Sequence, residues 1–171
     1  MRRVKLDRID RRILKDLQEN GRMTNVELAS RAGISAPPCL RRVRALEEAG
    51  FIRGYHAELN AEALGFGVTA FVQVGLSSQA EADLQRFEDL MSDWPEVREC
   101  HMLSGEADFL LKIVAADSKA CSELIKRLTA APNVSHVKSA LAIRSCKYAP
   151  GVPIDADAPA EPALEHADAA G

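Results

Sequence analysis

Apolar residues recur at helical spacing through the first fifty positions, then give way to shorter runs rich in β-branched residues. Leu6, Ile9, Ile13, Leu14 and Leu17 lie on one helical stripe. Asp7 stands where an N-cap belongs, and Asn20-Gly21 ends the pattern. Thr24 and Glu27 have capping-box spacing, so hydroxyl and carboxylate each satisfy an orphan amide of a second helix. Val26, Leu28 and Ala29 give that helix its apolar surface, and Gly33 stops it, since glycine enters the left-handed region without steric cost. A third helix follows, with Ser35 as expected cap and Pro37-Pro38 in a first turn whose amides lack intrahelical partners anyway. At about 100° per residue, Cys39, Leu40, Val43 and Leu46 fall on one face, Pro38, Arg41, Ala45 and Glu48 on the other, and Arg42 and Arg44 on the flanks. Three helices sharing a small core, the last two joined by a short glycine turn, have helix-turn-helix spacing. The residues near the start of such a third helix reach base edges, and arginine pairs with guanine or holds phosphate.

After Gly50 the pattern changes. Residues 51–60 read as a short hairpin or wing around Gly54, with Arg53 and His56 within reach of phosphate. Residues 61–67, containing Gly65 and Gly67, read as a hinge. From Val68 the periods alternate: strand 68–76, helix 82–93, strand 97–103, turn 104–108, strand 109–115, helix 118–130, and a last strand 134–147 long enough to be bent or bulged. Leu84, Phe87, Leu90 and Met91 of the first helix, and Cys121, Leu124, Ile125 and Leu128 of the second, point inward. The order βαββαβ is the split, ferredoxin-like arrangement, so the fold class is α+β: a winged helix-turn-helix over 1–60, a hinge over 61–67 and a ferredoxin-like domain over 68–148. One sheet face carries the helices, and the Val and Leu residues of the other favour a second copy of the chain.

Charge sharpens the division. Residues 1–60 hold 13 Lys and Arg against 8 Asp and Glu, while the rest hold 9 against 17. A basic half suits a polyanion and an acidic half does something else. The stretch 149–171 has Pro150, Pro153, Pro159 and Pro162, five acidic residues (Asp155, Asp157, Glu161, Glu165, Asp168) and no Lys or Arg. That composition predicts a disordered tail, either a solvated extension or a weak competitor of DNA. Cys39, Cys100, Cys121 and Cys146 are too scattered for a zinc site or a disulfide framework. No apolar run approaches a membrane span, and the basic N-terminus lacks an apolar signal core, so a cytoplasmic protein is expected. No catalytic motif or metal cluster stands out. His101, Glu99 and Cys100 come nearest, but alternation along a strand keeps the three from forming one site.

The stretch LDRIDRRILKDLQENGRMTNVELASRAGIS…CLRRVRALEEAGFIRGYHAELN (6–60), followed by ECHMLSGEADFLLKI (99–113), resembles the Lrp/AsnC family of feast/famine transcriptional regulators over about residues 6–148. The resemblance implies a DNA-binding regulator that activates or represses transcription. It also implies dimers assembling into octamers or related rings, with an amino-acid effector, such as leucine, between subunits and no other cofactor. It places the helix-turn-helix over about Asn25 to Arg44. The candidate contacts to double-stranded DNA are then Asn25, Ser35, Pro37, Pro38, Arg41, Arg42, Arg44 and Arg53. It places the effector against the turn Gly105-Glu106-Ala107-Asp108, completed by Ser104 and by residues from Val134 to Ser139. Backbone amides of that turn would hold a carboxylate and Asp108 an ammonium group. The alternative for Asp108 is a turn carboxylate accepting from neighbouring amides. An architectural DNA-binding protein of low specificity, and an amino-acid-sensing subunit of an enzyme, are the competing readings.

Overall fold

The computed structural model describes residues 6–156, in two compact units. One is the chain up to Glu58 together with the segment from Tyr148; the other is Leu59–Lys147.

The first unit holds α1 (Arg8–Glu19), α2 (Asn25–Ala32) and α3 (Ala36–Glu48). Asp7 caps α1 reciprocally with Asp10, and Thr24 caps α2 reciprocally with Glu27. Gly33 ends α2 in the left-handed conformation, at φ 71°. Ile13, Leu28, Ala29, Cys39 and Leu46 form the buried core, with Leu6, Ile9, Leu14, Leu17 and Val43 packed around it. Leu40 departs from the expected apolar face and is 40% exposed. The same core is framed by charge. Asp10 and Asp16 are buried on either side of the α1 stripe. Arg42 of α3 donates to Asp10 at 2.7 Å and to Asp7 at 2.8 Å. Asp16 accepts from Arg12 at 3.2 Å and lies 3.7 Å from Arg31 of α2.

The expected hairpin over 51–60 does not form; the segment carries no strand. Tyr55 instead donates to Glu47 at the end of α3, at 2.9 Å. With no partner ladder, the side chain anchors the segment better than its backbone does. The expected hinge contains a 3-10 turn, Glu62–Leu64, closed by Gly65 at φ 87°. The tail, expected to be disordered from Ala149, is held at its start. The Gln18 amide donates to the Val152 carbonyl at 2.8 Å and accepts its N–H at 2.9 Å. Residues 157–171, and the rest of the tail expectation with them, lie outside the described residues.

The second unit is a four-stranded antiparallel sheet in the order β2-β3-β1-β4, with β1 Val68–Leu76, β2 Val97–Met102, β3 Phe109–Ala115 and β4 Val134–Leu141. The helices α4 (Glu81–Ser92) and α5 (Ser118–Thr129) join the strands. Alternate residues of β1 and β3 are buried with Phe87, Met91, Cys121 and Leu128 of the helices. Phe87 and Phe109 meet at 4.7 Å between ring centroids. The other face of the sheet shows Phe71, 43% exposed. The last strand is shorter than the expected 134–147 but is bulged: Gly75 pairs with His136 and Leu76 with Val134, leaving Ser135 extra.

Candidate nucleic-acid interface and effector pocket

The start of α3 is shaped by its prolines. A cap hydroxyl accepts from an amide two or three residues on, and here those positions are Pro37 and Pro38. Ser35 therefore occupies the cap position without a side-chain cap bond, against expectation, and stays exposed. Pro37, Arg41 and Arg44 are exposed with it, whereas Pro38 is half-buried. Among the described residues neither Arg41 nor Arg44 has an ion-pair partner. Two other candidates are taken by the fold. Arg42 is bound to α1, and Asp10 foremost, then Asp7, holds its guanidinium still more firmly charged against the effect of burial. Asn25 donates to the Ala36 carbonyl at 2.8 Å, joining the starts of α2 and α3. Arg53 is exposed on the irregular segment beyond α3. One outward strip is left, carrying a hydroxyl and two guanidinium groups over the first turns of the third helix, the geometry that enters a major groove.

In the second unit the turn after β2 borders a hollow of about 200 Å³ lined by Gln73, Leu103, Ser104, Gly105, Glu106, Ala107, His136 and Lys138. Lys138 donates to Glu106 at 3.0 Å and holds that carboxyl below its usual range. The His136 ring lies directly over Gly75, where a Cβ would stand 1.9 Å from the ring. Ser135 fixes the approach, donating to the Gly75 carbonyl at 2.9 Å and lying 3.0 Å from His136 Nδ1. Ser104, Gly105 and Glu106 thus come together as expected, but three other candidates do not join them. Asp108 accepts the Leu76 N–H at 2.6 Å, and its own N–H reaches the Val74 carbonyl at 3.0 Å. These bonds are the contacts expected of a turn carboxylate bound to backbone. Val134 packs into the core, and Ser139 lies across from Val72 outside the hollow. From the expected stretch 134–139 it is His136 and Lys138 that line the hollow, joined by Gln73 and Leu103, for which the sequence carried no signal.

A second hollow, of about 280 Å³, lies between α4 and β2 beside Cys100. Burial, reinforced by Glu88, pushes that thiol up to about 11, so it is neutral. Glu99 and His101 do share one face, 3.2 Å apart, with Lys112 at 2.9 Å from Glu99.

A helix-turn-helix with an outward arginine strip, joined to a βαββαβ unit with a charged hollow, defines a ligand-responsive transcriptional regulator. The chain belongs to the Lrp/AsnC family of such regulators. Residues 6–53 match the winged helix-turn-helix DNA-binding domain, and residues 69–152 the Lrp/AsnC ligand binding domain. The chain is 56% identical over 148 residues to the leucine-responsive regulatory protein of Rhizobium meliloti, covering 86% of this chain and 95% of that one. A transcriptional regulator from Neisseria meningitidis in complex with L-methionine superposes with a TM-score of 0.83 at 38% identity, over 88% of this chain and 97% of that one. An AsnC family regulator from Agrobacterium tumefaciens does so with a TM-score of 0.81 at 37% identity, over 86% and 97%. The relatives carry names of regulators, not of enzymes.

Proposed function

We propose that the chain is a sequence-specific DNA-binding regulator, acting in the cytoplasm, whose hold on DNA is set by an amino acid bound between subunits of the second unit. The observation that carries this reading is the Glu106–Lys138 pair at the rim of a hollow of about 200 Å³. A free amino acid carries one cation and one anion a few ångströms apart, and this rim offers the complementary pair. Lys138 takes the ligand's carboxylate, assisted by the amides of the 104–106 turn, and Glu106 takes its ammonium group. The L-methionine in the Neisseria meningitidis relative, and the leucine in the name of the Rhizobium meliloti one, support that ligand class. Ser35, Pro37, Arg41 and Arg44 face the groove, and Arg53 holds phosphate. Two copies pair through the open sheet face around Phe71, and dimers assemble into an octamer or related ring. A dimer reads a pseudo-palindrome with half-sites about one helical turn apart.

The test is a thermal-shift screen of the twenty amino acids on the wild type and Lys138→Ala, followed by DNA titration with and without each hit. A ligand of the native state raises its melting temperature. At least one amino acid should do so for the wild type, should change DNA affinity, and should lose most of its effect in Lys138→Ala. A flat screen would remove the effector assignment. Light scattering on the same sample measures the assembly, and a monomer would remove the pairing.

A further inference from the structure

We infer that Leu40 is a specificity-determining residue that reads the C5-methyl group of thymine in the major groove. This rests on the DNA-binding reading above. At about 100° per residue, α3 turns Cys39, Arg42, Val43 and Leu46 toward the rest of its unit. Pro37, Leu40, Arg41 and Arg44 share the opposite arc, and all four are exposed. Leu40 is 40% exposed and is absent from the residues packed on the core, where Cys39 beside it is fully buried. The exposed part of this leucine contributes nothing to the core and is left as an apolar surface between guanidinium groups.

The helix start adds a second reason. Amides at a helix N-terminus ordinarily hold phosphate, but Pro37 and Pro38 have no N–H to offer. Recognition therefore falls on side chains. Of those, Arg41 and Arg44 match guanine edges or phosphate, and the apolar one has a single complement. Thymine presents the one apolar group on base edges of the major groove. With guanidinium groups next to it on the same arc, Leu40 is held over the bases, and its contact with a methyl group removes apolar surface of both from water.

The experiment uses full-length protein and a duplex selected by it from a random-sequence library. Each thymine of the selected duplex is replaced singly by deoxyuridine, which lacks only the methyl group, and affinity is read by fluorescence anisotropy at fixed salt. For the wild type, one or two positions per half-site should lose about three- to fivefold in affinity, the worth of one buried methyl. Leu40→Ala should bind those positions equally well with or without the methyl. Leu40→Gln, close to leucine in size and a good helix former, should lose the methyl dependence too, which guards against a folding defect in the alanine variant. Indifference of the wild type to every deoxyuridine, or an unchanged penalty in both variants, would overturn the inference while leaving DNA binding intact. Failure to enrich any duplex would overturn the DNA-binding reading, and the role of Leu40 with it.

Discussion

The two units hold together by different means. The sheet unit buries a dozen apolar residues against two helices, with no charged residue among those buried. The three-helix core is built on five buried apolar residues, and two buried aspartates beside it bind arginines of α2 and α3. A small unit has too little apolar area to fix three helices by burial alone. Directional ion pairs add the register that greasy contacts leave loose, at the cost of dependence on charge. The same basic composition thus serves two ends, and Arg42 is spent on architecture while Arg41 and Arg44 stay outside.

That contrast can be tested from its strongest consequence downward. Leu111 is fully buried, so Leu111→Ala should destabilise the sheet unit by about 2–5 kcal/mol. The single tryptophan, Trp94, lies in that unit, and both tyrosines lie in the other. Tryptophan fluorescence should therefore show the loss; a shift confined to the tyrosine signal would contradict the division. Asp10→Ala should lower the melting of the helical unit by about 1–3 kcal/mol, moderated because Arg42 keeps a third of its side chain in water. Arg41→Ala should do the reverse, weakening specific DNA binding by about tenfold in a gel-shift titration with no change in melting. If the two variants lost stability alike, the separation of structural from DNA-facing arginines would fall. Asp108→Ala should cost about 1–2 kcal/mol through the orphaned Leu76 N–H, whereas a lost amino-acid response with stability unchanged would make Asp108 a ligand.

The smallest effect concerns acid. Burial raises the Asp7 carboxyl, but the Asp10 amide and Arg42 outweigh it and leave it below its ordinary value. A carboxyl depressed in the folded state contributes stability above the unfolded value of about 3.9, and that contribution is lost as pH falls through the lower folded value. Tyrosine-monitored melts should therefore weaken below about pH 4 more in the wild type than in Asp7→Asn.

Much of this was legible in the order of residues. Helical stripes, the cap at Asp7, the capping box at Thr24, the glycine stop at Gly33 and the alternating blocks from Val68 are local patterns, and local backbone chemistry favours them wherever they occur. They gave the five α-helices and four strands of the described residues, with the last strand drawn six residues too long, but not the 3-10 turn at Glu62–Leu64, and they wrongly gave a hairpin after Gly50. That hairpin needed a partner ladder, and turn residues alone do not supply one.

What the sequence did not determine is which polar groups remain free. Arg41 and Arg42 are identical in composition and adjacent in the chain. Only the packing of α1 on α3 brings Asp10 within 2.7 Å of one and leaves the other outside. Asp108 likewise gave no sign in the sequence that the Leu76 N–H would lie 2.6 Å from it. The bulge at Ser135 shows the reason most plainly. Side chains alternate with a period of two, so one extra residue reverses which of them face the core. Val134 and Val137 go inward while His136 and Lys138 reach the hollow, a phase that depends on pairing with β1 and is written in no single strand.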